Sequence, residues 1–90
     1  MNGVGATRWA FVDGQFVPED RAVVPVLDRG LLLGDGIFES VRVKDGSPEY
    51  FEDHYRRLVE SARIVRIGLP WAQDELASLC AELCRRSGLA

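Results

Sequence analysis

The side chains best placed to do chemistry lie in His54-Tyr55-Arg56-Arg57-Leu58, with Ser61 following. At helical spacing His54, Arg57 and Ser61 share one edge, i, i+3 and i+7, beside an apolar stripe. An arginine on the margin of a buried face can aim a rigid fork of donors into a site, where it suits phosphate or carboxylate. The plainer role for Arg57 is a salt bridge to an acid of a strand, such as Glu39, and spacing leaves both open. A lone histidine like His54 is most often a hydrogen-bonded structural residue. Arg56 and Arg63 share a neighbourhood expected to be solvated.

A second set lies in Ile37-Phe38-Glu39-Ser40-Val41-Arg42-Val43-Lys44. Its alternation predicts a strand with Phe38, Ser40 and Arg42 on one face and Ile37, Glu39, Val41 and Val43 on the other. Phe, Ser and Arg together suit the wall of a ligand cleft better than a packed core. Glu39 faces away among valines, a structural position in which a carboxylate needs an arginine or several N–H donors.

The stretch before it, Gly30-Leu31-Leu32-Leu33-Gly34-Asp35-Gly36, invites a phosphate-loop reading. A dinucleotide fingerprint requires the glycines to open a helix, and a P-loop requires a following G-K-[ST]. Here a strand follows and neither motif holds. The glycines are expected to bend the chain into that strand, and the leucines to form a domain or dimer contact.

These residues need a scaffold. Asp13-Gly14 and Asp45-Gly46 each separate short apolar runs, the strongest local hairpin signal, since both residues of a type I′ turn need positive φ. Ala22–Leu27 contains Pro25, which demotes it to an edge strand or irregular stretch. Asp28-Arg29-Gly30 is expected to turn the chain. From Glu52 to Ile67 the apolar positions Tyr55, Leu58, Val59, Ala62 and Val65 follow a helical period, ended by Gly68 and Pro70. Leu76, Leu79, Cys80, Leu83 and Cys84 mark a second helix over Asp74–Arg86. The expected fold is α+β: a small antiparallel sheet of about four strands packed by two amphipathic helices in two layers.

Composition excludes several classes. Ninety residues, 47% hydrophobic and 28% charged, suit one globular domain. A net charge of −3 gives no electrostatic reason for a nucleic-acid or membrane partner. The start, Met1–Trp9, lacks the pattern of a secretory leader, and no apolar run approaches the ~20 residues of a membrane span. A cytoplasmic protein is expected, with Cys80 and Cys84 as reduced core thiols and no metal site; a C-x-x-x-C metal pair is the weaker alternative. Arginine supplies ten of the eleven basic residues, and Lys44 is the single lysine.

Taken in order, the Asp13-Gly14 hairpin, V-P-V-L-D-R-G-L-L-L-G-D-G-I-F-E-S-V-R-V-K-D-G, H-Y-R-R-L-V-E-S-A and G-L-P resemble the N-terminal region of class IV aminotransferases, across about residues 9–88. These are the fold-type IV pyridoxal-phosphate enzymes, among them branched-chain and D-amino-acid aminotransferases, (R)-selective amine transaminases and 4-amino-4-deoxychorismate lyases. The resemblance implies that residues 1–90 form the N-terminal small domain, without the C-terminal catalytic domain. It implies that Arg57, in H-x-x-R-L, grips the phosphate of pyridoxal 5'-phosphate. Phe38, Ser40, Arg42 and Leu33 are implied to line the substrate side, Leu33 in some members across a homodimer. Leucine at position 33 and the spelling D-R-G-L-L-L lean away from branched-chain substrates, toward the lyase or a D-amino-acid or amine enzyme.

The family's Schiff-base lysine is implied to lie in the second domain. Lys44, at a strand end beside Asp45-Gly46, cannot stand in for it. The expected activity of the complete enzyme is transfer of amino groups between an amino acid or amine and a 2-oxo acid, with the chain alone inactive. The alternatives are the lyase, which releases pyruvate and forms 4-aminobenzoate, and a non-catalytic truncated remnant that oligomerises. An isolated domain is expected to expose Phe38 and leucines 31–33.

Overall fold

A computed structural model of the chain describes residues 8–89. Strands β1 (Trp9–Val12) and β2 (Gln15–Pro18) pair antiparallel around Asp13-Gly14, with Phe11 opposite Phe16. The turn takes the conformation the dipeptide favours, with φ of 51° at Asp13 and 80° at Gly14. The rings of Phe11 and Phe16 lie 4.8 Å apart, and Trp71 meets Phe11 edge-on at 6.2 Å. Glu19 N–H donates to Arg8 O at 2.8 Å, carrying the ladder one step further.

Beyond a single 3-10 turn (Glu19–Arg21), residues 22–28 are irregular, one of the two outcomes that Pro25 allows. The expected turn at Asp28-Arg29-Gly30 is instead the start of a short helix, α1 (Arg29–Leu33). Asp28 caps it, its Oδ2 accepting from Gly30 N–H at 2.9 Å, and Gly34 closes it in the left-handed region at φ 72°. Gly30 has little room for a side chain, since a Cβ would sit 2.9 Å from that capping oxygen.

Strand β3 (Val43–Lys44) pairs with β4 (Ser47–Pro48) through the second left-handed pair, Asp45 and Gly46. Arg42 O accepts from Glu49 N–H at 2.7 Å at the open end. Two long helices follow, α2 (Phe51–Val65) and α3 (Gln73–Arg86). The class is thus α+β, with four strands among the described residues that form two separate hairpins, not one sheet. The long strand expected over Ile37–Lys44 is regular only at its last two residues, because residues 37–41 have no neighbouring strand to bond. Their alternation survives: Ile37, Glu39, Val41 and Val43 are half-buried, while Phe38, Ser40, Arg42 and Lys44 are exposed.

Helix α3 gathers the other elements. It packs on β1, β4 and α2, and its C-terminal end holds the first hairpin twice over. Ser87 Oγ accepts from Trp9 N–H at 3.1 Å, and the Arg86 guanidinium lies over the rings of Trp9 (5.2 Å) and Phe16 (4.5 Å). Glu82 fixes Arg86, accepting from its Nε at 2.8 Å, and also pairs with Arg85. Tyr55 of α2 donates its hydroxyl to Trp71 O at 2.8 Å, joining α2 to the loop before α3. Helix α2 ends not at Gly68 but at Arg66, left-handed at φ 61°, where Ile67 N–H returns to Ala62 O.

The interior is thin. The molecule measures 18 Å across its narrowest axis, and among the described residues the buried apolar ones are Ala62 and Cys84. Both cysteines are free, and burial pushes the Cys80 thiol up, with Cys84 nearby adding to the shift. Much apolar surface is uncovered among the described residues: Val23, Val26, Leu27, leucines 31–33 and Phe38 are all exposed.

Helix α3 begins with half of a capping box. Glu75 Oε1 accepts from Ala72 N–H at 2.9 Å, but the Ala72 methyl cannot return the bond to the first turn. Ala72 already has the extended φ −71°, ψ 166° of an N-cap, so Ala72→Ser is expected to stabilise the chain by about 0.5–2 kcal/mol in urea unfolding. Glu82 yields a second expectation. Hydrogen bonds from Arg85 and then Arg86 lower its carboxyl from 4.5 to about 2. A depressed carboxylate stabilises the fold above its unfolded pKa, and that contribution disappears as pH falls from about 4.5 to about 2. The unfolding midpoint should therefore drop less steeply across this window in Glu82→Gln than in the wild-type chain.

Candidate functional site

Three arginines of α2 pass close to acids, and they do so differently. Arg56 pairs with Asp53 and Arg63 with Glu60, each three residues back on the same exposed helix face. Such pairs are worth little in water, and both arginines are solvated as expected. Arg57 alone of the three reaches off its helix, Nη2 lying 3.3 Å from Glu39 Oε1 on the segment that alternates. The salt bridge set against anion binding in the sequence reading is thus present, and it spends one amine of the guanidinium.

Glu39 Oε1 is shared. His54 Nδ1 approaches it to 2.6 Å, and Arg57 Nη2 lies 3.0 Å from that same Nδ1. Ionised Glu39 can only accept, so the short contact requires a proton on Nδ1. Nδ1 then has no lone pair left for Arg57, and the approach of the two nitrogens is that of two donors converging on one oxygen. We therefore place a proton on His54 Nδ1, which donates to Glu39.

The electrostatics agree. The His54 hydrogen bond is the largest influence holding the Glu39 carboxyl below its usual range; burial opposes it and Arg57 adds to it. Glu39 and His54 are sheltered, with side chains 20% and 17% exposed, whereas Arg57 is 61% exposed. A half-buried pair thus anchors a guanidinium that itself faces solvent. The hydrogen bond that Arg57 makes to Glu39 uses Nη2, which leaves Nε and Nη1 for an anion.

Glu39 and His54 also line a groove of about 300 Å³ between the 37–41 segment and the two long helices, whose apolar walls include Ile37, Val41, Leu58 and Leu76. Phe38 borders this groove, although its side chain is mostly outside it at 85% exposure. Ser40 and Arg42 stand on the exposed face with Phe38, as the alternation predicts, but no described element faces them across a cleft. Leu33 is elsewhere, exposed on α1. The glycine bracket lines a different and larger cleft of about 700 Å³, in which Gly30, Gly34 and Gly36 face Val65, Arg66 and Ile67 at the end of α2. Arg29 closes one side of it by donating to Asp35 Oδ2 at 3.0 and 2.8 Å. Lys44 is exposed on β3 and lines neither cavity.

No described helix is long and apolar enough to cross a membrane, and no group of three metal-ligating side chains occurs among the described residues.

Comparison with known proteins agrees with the order of motifs. Residues 36–90, more than half of the chain, match the family described as "Amino-transferase class IV". A protein of Methanocaldococcus jannaschii named "Putative branched-chain-amino-acid aminotransferase" is 38% identical over 79 residues, covering 88% of this chain and 27% of that protein. The D-alanine aminotransferase of Staphylococcus haemolyticus is 33% identical over 75 residues, covering 83% and 27%. That of Staphylococcus aureus (strain N315) is 37% identical over 73 residues, covering 81% and 26%. The chain spans about a quarter of the length of these relatives. Glu39, His54 and Arg57, which the structure brings together, all fall within the family match, and the chain belongs to the class IV aminotransferase family.

Proposed function

We propose that the chain is the N-terminal small domain of a pyridoxal-phosphate-dependent aminotransferase, and that Arg57 is its contribution to cofactor binding. The observation behind this reading is the position of Arg57. It is fixed through one amine to a sheltered acid, exposed elsewhere, and part of a motif inside the family match.

Pyridoxal phosphate needs an anchor for its phosphate and an amine for its aldehyde. The uncommitted donors of Arg57 fit the first requirement. Lys44, solvated beside the Asp45-Gly46 turn, does not fit the second, so the reading assigns the Schiff-base lysine to a second domain. The bound cofactor supplies the electron sink for chemistry at the α-carbon. The part of this domain is to hold the phosphate and to form one wall of the substrate site.

For that wall we propose the exposed face of Phe38, Ser40 and Arg42, with Leu33 contributing from α1. Arg42 suits the carboxylate of an amino acid or a 2-oxo acid, and Phe38 suits its side chain. The relatives named for D-alanine and for branched-chain amino acids support an amino-acid and 2-oxo-acid pair as substrates. The uncovered leucines 31–33 favour a homodimer, and the reading places the enzyme in the cytoplasm.

The test is titration of the 90-residue chain with pyridoxal phosphate. Phosphorus NMR is expected to show weak binding through the phosphate, with pyridoxal binding more weakly still. Arg57→Ala should lower the affinity by about tenfold, the scale of one charge-assisted hydrogen bond. No amino transfer is expected. Binding that is indifferent to Arg57→Ala, or turnover that survives Lys44→Ala, would contradict the proposal.

A further inference from the structure

The surface ion pairs of this chain join residues close in sequence, as in Arg56–Asp53, Arg63–Glu60 and Arg85–Glu82. Arg57 is bound differently. Its partner Glu39 comes from eighteen residues away and is sheltered, and a second side chain holds that partner in place. His54 donates from Nδ1 into the same oxygen at 2.6 Å, the shortest of the three contacts.

We infer that Glu39 and His54 act together as positioning residues for Arg57: His54 fixes the Glu39 carboxylate, and the carboxylate holds one amine of Arg57 so that Nε and Nη1 face outward. The inference rests on the reading of Arg57 as the phosphate residue. A long arginine side chain free in water samples many rotamers and must surrender them when it grips an anion. One that is already held gives up less. The guanidinium is a rigid planar fork, so fixing Nη2 also fixes the directions of Nε and Nη1.

Simple electrostatics makes the opposite forecast. A carboxylate beside Arg57 offsets its charge and repels a phosphate, so removing Glu39 should tighten anion binding. Positioning says that removing it weakens binding. The sign of the effect therefore separates the two accounts. His54 adds a geometric criterion, because an asparagine amide can occupy the place of Nδ1 and donate to Glu39, whereas alanine cannot.

The experiment uses the nitrogen-15-labelled chain with inorganic phosphate as the probe. His54 is the single histidine, so its ring signals need no assignment, and those of Arg57 are identified by their loss in Arg57→Lys. Rotation of the guanidinium about Nε–Cζ reports positioning without any ligand. It should be slow in the wild-type chain, faster in Glu39→Gln and His54→Ala, and slow again in His54→Asn. The phosphate concentration that half-shifts Arg57 Nε should rise about fivefold in Glu39→Gln and His54→Ala and recover in His54→Asn.

Rotation unchanged in Glu39→Gln, or phosphate bound equally or more tightly by that variant, overturns the inference. If rotation responds as stated while phosphate leaves wild-type Arg57 unmoved, positioning stands and the phosphate reading fails. Circular dichroism checks that each variant folds; should His54→Ala unfold, Glu39→Gln and His54→Asn carry the comparison.

Discussion

The Glu39 carboxylate joins two parts of the molecule that no strand ladder joins. Residues 37–41 run beside α2 without a neighbouring strand, and side-chain contacts tie them to it. The apolar members of the inward face, Ile37 and Val41, are only half-buried over a groove and supply limited hydrophobic adhesion. A hydrogen bond of 2.6 Å from His54 and the approach of Arg57 supply direction as well as adhesion. They hold the Glu39 carboxyl below its usual range, and they bind the edge of residues 37–42 that turns inward. Because side chains alternate, holding Glu39 inward holds Phe38, Ser40 and Arg42 outward. The two faces of the segment are thus set by one half-buried contact.

Helix α3 plays the matching part for the first hairpin. Glu82, Arg86 and the rings of Trp9 and Phe16 form one continuous chain of contacts, and Ser87 adds a backbone tie. What remains is an unusually open molecule, with leucines 31–33 and the valines before them uncovered. A domain that normally packs against a further domain or a second subunit would have such a face. This agrees with a chain that matches about a quarter of each relative's length.

Local chemistry was legible in the sequence and non-local pairing was not. The two Asp-Gly turns were readable because few dipeptides tolerate two successive positive φ angles. Both long helices followed from their apolar period, with starts within a residue of those observed. The alternation of residues 37–44 gave the correct two faces but not the absence of a ladder, which depends on what lies alongside. Helix α1 was missed because five residues are too few to show a period; its signal is the capping Asp28 and the closing Gly34. The end of α2 was placed at Gly68 because glycine is the usual left-handed residue, and here Arg66 takes that conformation. For Arg57, spacing left a salt bridge and an anion site as competing roles, and the geometry makes them compatible, since the bridge uses a single amine.

The central claim is that the Glu39 carboxylate, and not a strand ladder, holds the segment bearing Phe38, Ser40 and Arg42 against α2. Backbone order parameters of residues 37–41, measured by nitrogen-15 relaxation in the wild-type chain and in Glu39→Gln, test it directly. The account predicts rigid values near 0.85 in the wild-type chain that fall below about 0.6 in the variant, with β1 and β2 unchanged. Residues 37–41 that stay equally rigid without the carboxylate would contradict it.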